Sequence, residues 1–119
     1  MKKSTRAREF SAKTREAIKE RDKMNCIFCK MNYHMKSTTQ TGYAIKSIMH
    51  YVPRSKGGLG IEQNGAIGCQ YHHELLDNGN KGLRGEMLEL FREYLQEHYL
   101  DWNEEDLIYK KYNFWEEER

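Results

Sequence analysis

CIFC at residues 26–29 and CQYHH at residues 69–73 decide how this chain is read. Each holds two zinc-binding side chains two residues apart: Cys26 with Cys29, and Cys69 with His72. That gap lets both members of a pair reach one ion, and two such pairs close the tetrahedral shell of a structural zinc site. A thioredoxin-like redox pair would need a parallel strand before Cys26 and a helix opening at it. Here a charged helical segment precedes Cys26 and a polar stretch follows Cys29. Three cysteines would also leave one thiol over from any disulfide. With no export signal in view, the chain is expected in a reducing compartment. Structural zinc on Cys26, Cys29, Cys69 and His72 is the expectation.

Thirty-nine residues separate the two pairs, against about 12 in a simple finger. Residues 30–42 are polar and without period, a loop. Residues 43–52 (YAIKSIMHYV) are β-branched and aromatic and predict a strand ended by Pro53. Residues 54–65 hold four of the nine glycines and predict a long loop. A short strand over 66–69 leads into a helix from about Gln70 to Leu76, stopped by Asp77-Asn78-Gly79-Asn80.

Outside this centre the pattern is helical. Residues 11–23 predict a basic helix opened by Ser11. In 84–99, Met87, Leu88, Phe91, Tyr94, Leu95 and His98 recur at spacings of three and four. Asn103 predicts the cap of a last helix over 104–112, with Trp102 and Trp115 packing on the core or on a partner. The 119 residues suit a single domain (1–119): a core of about 24–80, the basic helix of about 11–23, and a helical extension of about 84–112. No window approaches the ~18 apolar residues of a membrane span. Residues 1–36 carry a balance of +7 and residues 84–119 one of −6. The basic third fits a polyanion. The acidic third suits a cap on the core, a homodimer face or a protein-docking face.

Over roughly residues 11–80 the sequence resembles the HNH endonucleases of the ββα-metal type. CIFC (26–29), MHYVPRSKGG (49–58), EQNGAIGC (62–69) and CQYHH (69–73) carry the likeness. The family order is a Cys pair, a strand ending in a first His, a loop with a Gly pair, a central Asn, a second Cys pair and a last His. His50, Asn64 and His73 stand at those three places. The whole chain is most similar to small phage and prophage HNH nucleases, some encoded beside the DNA-packaging terminase. The resemblance implies a small zinc-stabilised α+β fold, DNA as partner, a terminase as a further one, and the cytoplasm of a bacterial host. It also implies hydrolysis to 5′-phosphate and 3′-hydroxyl ends.

Within that resemblance the chemistry assigns roles. Neutral imidazole titrates near ~6.5, which suits His50 as general base toward water. A catalytic divalent ion, Mg²⁺ or Mn²⁺ with Ni²⁺ or Co²⁺ as alternatives, is expected on His73. Asn64 is expected to bridge the long loop and fix the strand presenting His50. Neighbouring helix positions diverge by about 100°, so His72 and His73 cannot share one small ion; His73 is expected to face away from the zinc site, toward His50. The departure from the family is Met49, where many members have an Asp or His ligand. A thioether is a poor ligand for hard cations. Asp77, four residues after His73 and on the same helix face, is the candidate substitute. Arg54 and Lys56, beside Gly57-Gly58, and Arg15, Lys19 and Lys23 of the basic helix are the candidate DNA contacts, with the loop's backbone N–H groups also offered to phosphate.

Overall fold

Ser11 opens the first helix by accepting a hydrogen bond from the Thr14 backbone N–H at 3.1 Å, satisfying one of the donors that a helix start leaves unpaired. The computed structural model describes residues 7–35, 40–78 and 82–110. Helix α1 runs Ala12–Asp22 and ends at Lys23, whose left-handed φ of 55° lets the chain turn back. A single turn, α2 (Ile27–Lys30), follows with Cys26 as its N-cap. Then come α3 (Gln40–Ala44), β1 (Lys46–His50), β2 (Gly65–Cys69), α4 (Gln70–Asn78) and α5 (Arg84–His98). Short 3₁₀ turns stand at Arg54–Lys56, Glu62–Asn64 and Glu104–Leu107. The result is a small α+β fold in which no helix among the described residues is long and apolar enough to cross a membrane.

Strands β1 and β2 are antiparallel, with Lys46 opposite Cys69 and His50 opposite Gly65. Side chains alternate across a strand, so each residue and its opposite number share a face. Ile48 and Ile67 meet Phe10 and Ile18 of the N-terminal region. Met49 and Ala66 face the other way, into the larger core with Phe28, Leu76, Met87, Phe91 and Leu95. Two glycines make this fit possible. A Cβ at Gly65 would lie 2.7 Å from the Phe10 ring, and one at Gly68 would lie 2.4 Å from the Met49 sulfur.

Several boundaries differ from the sequence reading. The predicted strand 43–52 shortens to Lys46–His50, because Tyr43 and Ala44 close α3; the expected loop 30–42 therefore ends in a helix. Helix α4 continues past Leu76 to Asn78. The predicted helix 104–112 is a 3₁₀ turn ending at Leu107, after which Ile108 bridges Gly58. Asn103 does cap that turn, accepting from Glu105 N–H at 3.1 Å. The backbone beyond it is claimed by the glycine loop: Leu59 N–H donates to Leu107 O and Tyr109 N–H to Gly57 O, both at 2.7 Å. Tail–loop pairing wins over helix propagation. Trp102 packs on the core and donates from Nε1 to Gln63 O at 2.7 Å; Trp115 lies outside the described residues.

Candidate metal centre and candidate active site

The four expected zinc ligands converge. Cys26, Cys29, Cys69 and His72 place their ligand atoms within 4.8 Å of one another. Cys29 Sγ is 3.8 Å from Cys69 Sγ, and His72 Nδ1 is 3.6, 3.6 and 3.2 Å from Cys26, Cys29 and Cys69. A tetrahedron with Zn–S of about 2.3 Å and Zn–N of about 2.0 Å has edges of about 3.8 Å (S–S) and about 3.5 Å (S–N). The spacing fits zinc.

Local backbone fixes each pair in the same way. Cys29 N–H donates to Cys26 Sγ and His72 N–H to Cys69 Sγ, each at 3.4 Å. His72 Nε2 donates to the Tyr33 carbonyl at 2.6 Å, which leaves the Nδ1 lone pair for the ligand cluster, the usual outer-shell device of a metal-binding histidine. Burial pushes the Cys26 thiol up, but the bond from His72 and the two backbone N–H groups bring it down to about 7. Burial and the neighbouring sulfurs hold Cys29 well above its ordinary value, and burial raises Cys69. A cation at the centre of three sulfurs removes that conflict. The group can hold a metal ion such as zinc.

His50 ends β1 on the Phe10 side of the hairpin, its ring 4.3 Å from that of Phe10. Its Nε2 donates to the Arg8 carbonyl at 3.1 Å, so in the neutral ring Nδ1 is the nitrogen left with a lone pair. Burial lowers the His50 pKa; the Arg8 carbonyl opposes this, and Arg54 and His73 add to the lowering.

Asn64 is fully buried. Its Oδ1 accepts from Val52 N–H at 2.7 Å, and its Nδ2 donates to Val52 O at 3.1 Å and Leu59 O at 2.8 Å. Tyr51 N–H adds a bond to the Asn64 carbonyl at 2.9 Å. One side chain thus bolts both ends of the loop that follows His50.

His73 projects from α4 beside Ser47 of β1. Its Nδ1 lies 2.7 Å from Ser47 Oγ, and its Nε2 lies 3.1 Å from Asp77 Oδ2. With Glu74, Gln70, Asn78 and Ile45 these residues line an open cavity of about 310 Å³. Among the described residues, no hydrogen bond or ring contact joins His50 to His73; the link is electrostatic, through the charges of His73 and Asp77. Met49 has no part in this cavity. It is fully buried with its sulfur against Gly68, a core residue rather than a wall of the cavity.

The candidate DNA contacts form two patches. Lys56 is exposed, and Arg54 is half-exposed with its guanidinium 3.5 Å from Glu9. Two of the loop's backbone donors are already bonded within it: Gly57 N–H to Arg54 O at 3.0 Å and Gly58 N–H to Pro53 O at 2.9 Å. On α1, Arg15 Nε holds the Phe10 carbonyl at 3.3 Å and Lys19 stands 3.6 Å from Glu16; Lys23, just past its end, is exposed.

The sequence reading missed the neighbours that hold these side chains. Ser47 was legible in principle, because two residues before Met49 on a strand shares its face. The Arg8 and Tyr33 carbonyls carry no sequence signal at all. Compared with family models, with curated proteins and with solved structures, the chain finds no match.

Proposed function

We propose that this chain is a metal-dependent DNA endonuclease of the HNH type, hydrolysing phosphodiester bonds in duplex DNA. The observation that carries the reading is the unbroken run β1–β2–α4, with His50 closing the first strand, Asn64 bolting the loop and His73 on the helix that follows. In this reading the hairpin and α4 are the ββα core, and the Cys₃His group holds structural zinc beneath it. His50 takes a proton from the attacking water at Nδ1, because Nε2 is committed to the Arg8 carbonyl. Asn64 keeps the loop and strand end in place while this happens.

A catalytic ion fits between His73 and Asp77, whose charges reach His50. His73 Nε2 and Asp77 Oδ2, 3.1 Å apart, match the edge of about 3.0 Å expected between adjacent ligands of a small octahedral cation. Such an ion supplies charge neutralisation at the phosphate and at the leaving 3′ oxygen. Arg54 and Lys56, with Arg15, Lys19 and Lys23 on the second patch, hold the DNA backbone without reading bases. A packaging terminase is the protein partner that the resemblance suggests for the acidic C-terminal region.

A second reading is favoured by Met49, whose burial removes a ligand: a zinc-knit DNA- or protein-binding module that no longer cuts. Plasmid relaxation in Mg²⁺ or Mn²⁺, with His50→Ala as control, separates the two. Nicking by wild type and none by His50→Ala supports the nuclease. DNA binding with no nicking in Mg²⁺, Mn²⁺, Ni²⁺ or Co²⁺ replaces it with the module.

A further inference from the structure

His73 stands between two partners that make different demands. Asp77 Oδ2, 3.1 Å from Nε2, draws a proton to that nitrogen when no cation is present. A cation bound between the two requires the Nε2 lone pair and pushes the proton to Nδ1. The residue at Nδ1 must therefore donate in one state and accept in the other. A hydroxyl does both, since it carries one O–H and two lone pairs and rotates freely. Ser47 Oγ is at that nitrogen, 2.7 Å away, on the exposed edge of β1.

We infer that Ser47 is a positioning residue for His73, its hydroxyl following the change of tautomer by which His73 and Asp77 take up a divalent cation. The inference rests on the ion-site reading given under Proposed function and adds the residue that lets the site exist both empty and loaded. The zinc cluster shows the simpler arrangement. His72 needs one tautomer only, and its second nitrogen faces a carbonyl that can only accept. A backbone carbonyl at Nδ1 of His73 would lock it in the loaded tautomer and leave Nε2 without a proton for Asp77. Ser47 points into the cavity of about 310 Å³ that also holds Glu74, so its bond to His73 lies on the wall where the ion would enter.

Val and Thr have the same shape and both suit a strand, so Ser47→Val and Ser47→Thr differ only by the hydroxyl. The experiment measures Mn²⁺ binding to the full zinc-loaded chain by electron paramagnetic resonance, alongside ¹⁵N spectra of the His73 ring with and without Mg²⁺. Expected are one Mn²⁺ per wild-type chain and its loss in His73→Ala. Ser47→Thr should stay within about twofold of wild type, and Ser47→Val should bind about tenfold or more weakly, the usual effect of removing an outer-shell partner. The ring spectrum should move its proton from Nε2 to Nδ1 on adding Mg²⁺ in wild type and Ser47→Thr. Equal Mn²⁺ affinity in Ser47→Val and Ser47→Thr overturns the role of Ser47 while the ion site stands. Equal affinity in wild type and His73→Ala overturns the ion site itself, and this inference with it. Ser47→Ala is the substitute should Ser47→Val fold poorly.

Discussion

The Asp22 carboxylate is gripped by its own neighbour: Arg21 reaches it with Nε at 2.7 Å and Nη2 at 3.0 Å. Adjacent helix residues ordinarily diverge, yet this pair sits at the last turn of α1, where the chain bends. Asp22 is fully buried and also accepts from Ile67 N–H at 2.9 Å and from the Tyr94 hydroxyl. Arg21 continues to the Glu62 and Gly65 carbonyls and the Tyr99 hydroxyl. One ion pair therefore ties α1, β2, the Asn64 turn and α5 together. Asp22→Asn keeps the shape and strips the counter-charge from a buried guanidinium, so urea unfolding should show a loss of about 3 kcal/mol. Tyr94→Phe should lose about 2 kcal/mol. A loss below about 1 kcal/mol in Asp22→Asn would show that the pair is dispensable.

The zinc group predicts a pH dependence with a definite sign. Cys29 and Cys69 are held above their ordinary values and keep their protons at neutral pH, while Cys26 ionises near 7. Zinc must displace those protons, so its apparent affinity should rise steeply between pH 6 and 8 in a chelator competition. Elemental analysis should find about one zinc per chain, and stripping it should remove the helical signal. A folded, zinc-free chain would sink the assignment.

For His50, burial comes first among the causes that lower its pKa. The folded state favours neutral imidazole, so its contribution to stability is complete above the ordinary value of about 6.5 and is lost as pH falls through the lower folded value. If His50 is the proposed base, the acid limb of any nicking rate should lie below that ordinary value. Phe10→Ala uncovers the ring and should move the His50 proton resonance titration up toward it. An unchanged titration in Phe10→Ala would mean that the ring does not shield His50.

Asn64→Ala leaves Val52 N–H and two carbonyls without their partner and should cost about 3 kcal/mol. Asn64→Asp should be at least as harmful, because a carboxylate replaces the amide that donates to Val52 O and Leu59 O. Thermal unfolding of the two variants decides the order. A mild Asn64→Asp would contradict the bonding described.

Met49 gives an opposite test. Met49→Leu should cost about 1 kcal/mol or less. Met49→Asp should cost several times more, since the carboxylate would enter the core against Gly68 without a partner. Equal denaturation midpoints for the two would show that position 49 reaches solvent.

Much of this was legible because it is local. Ser11 as a cap, the two Cys/His pairs and the β2–α4 junction follow from spacings of two to four residues. What escaped is what the chain decides at long range. Asn103 signalled a helix start correctly, but Leu59 and Gly57, over forty residues earlier, take the backbone that a helix over 104–112 would have used. Tyr43 and Ala44 look like strand and are helix. Asp22 reads as one more charge on a polar helix; only the meeting of α1 with β2 and α5 makes it a buried hub. Met49 was read for its chemistry as a ligand, whereas its partner Gly68 makes it a core residue.

With an ion bound, the Cys₃His group would also act on the unfolded chain. Its two halves lie at opposite ends of a segment of about forty residues, and that segment contains β1, the glycine loop, His50 and Asn64. An ion joining Cys26 and Cys29 to Cys69 and His72 ties the segment into a ring. A covalent cross-link over such a length removes about 4 kcal/mol of chain entropy from the unfolded ensemble. Unlike a disulfide, such a closure would open when the ion left, so metal supply would set how often the segment carrying the candidate site is assembled.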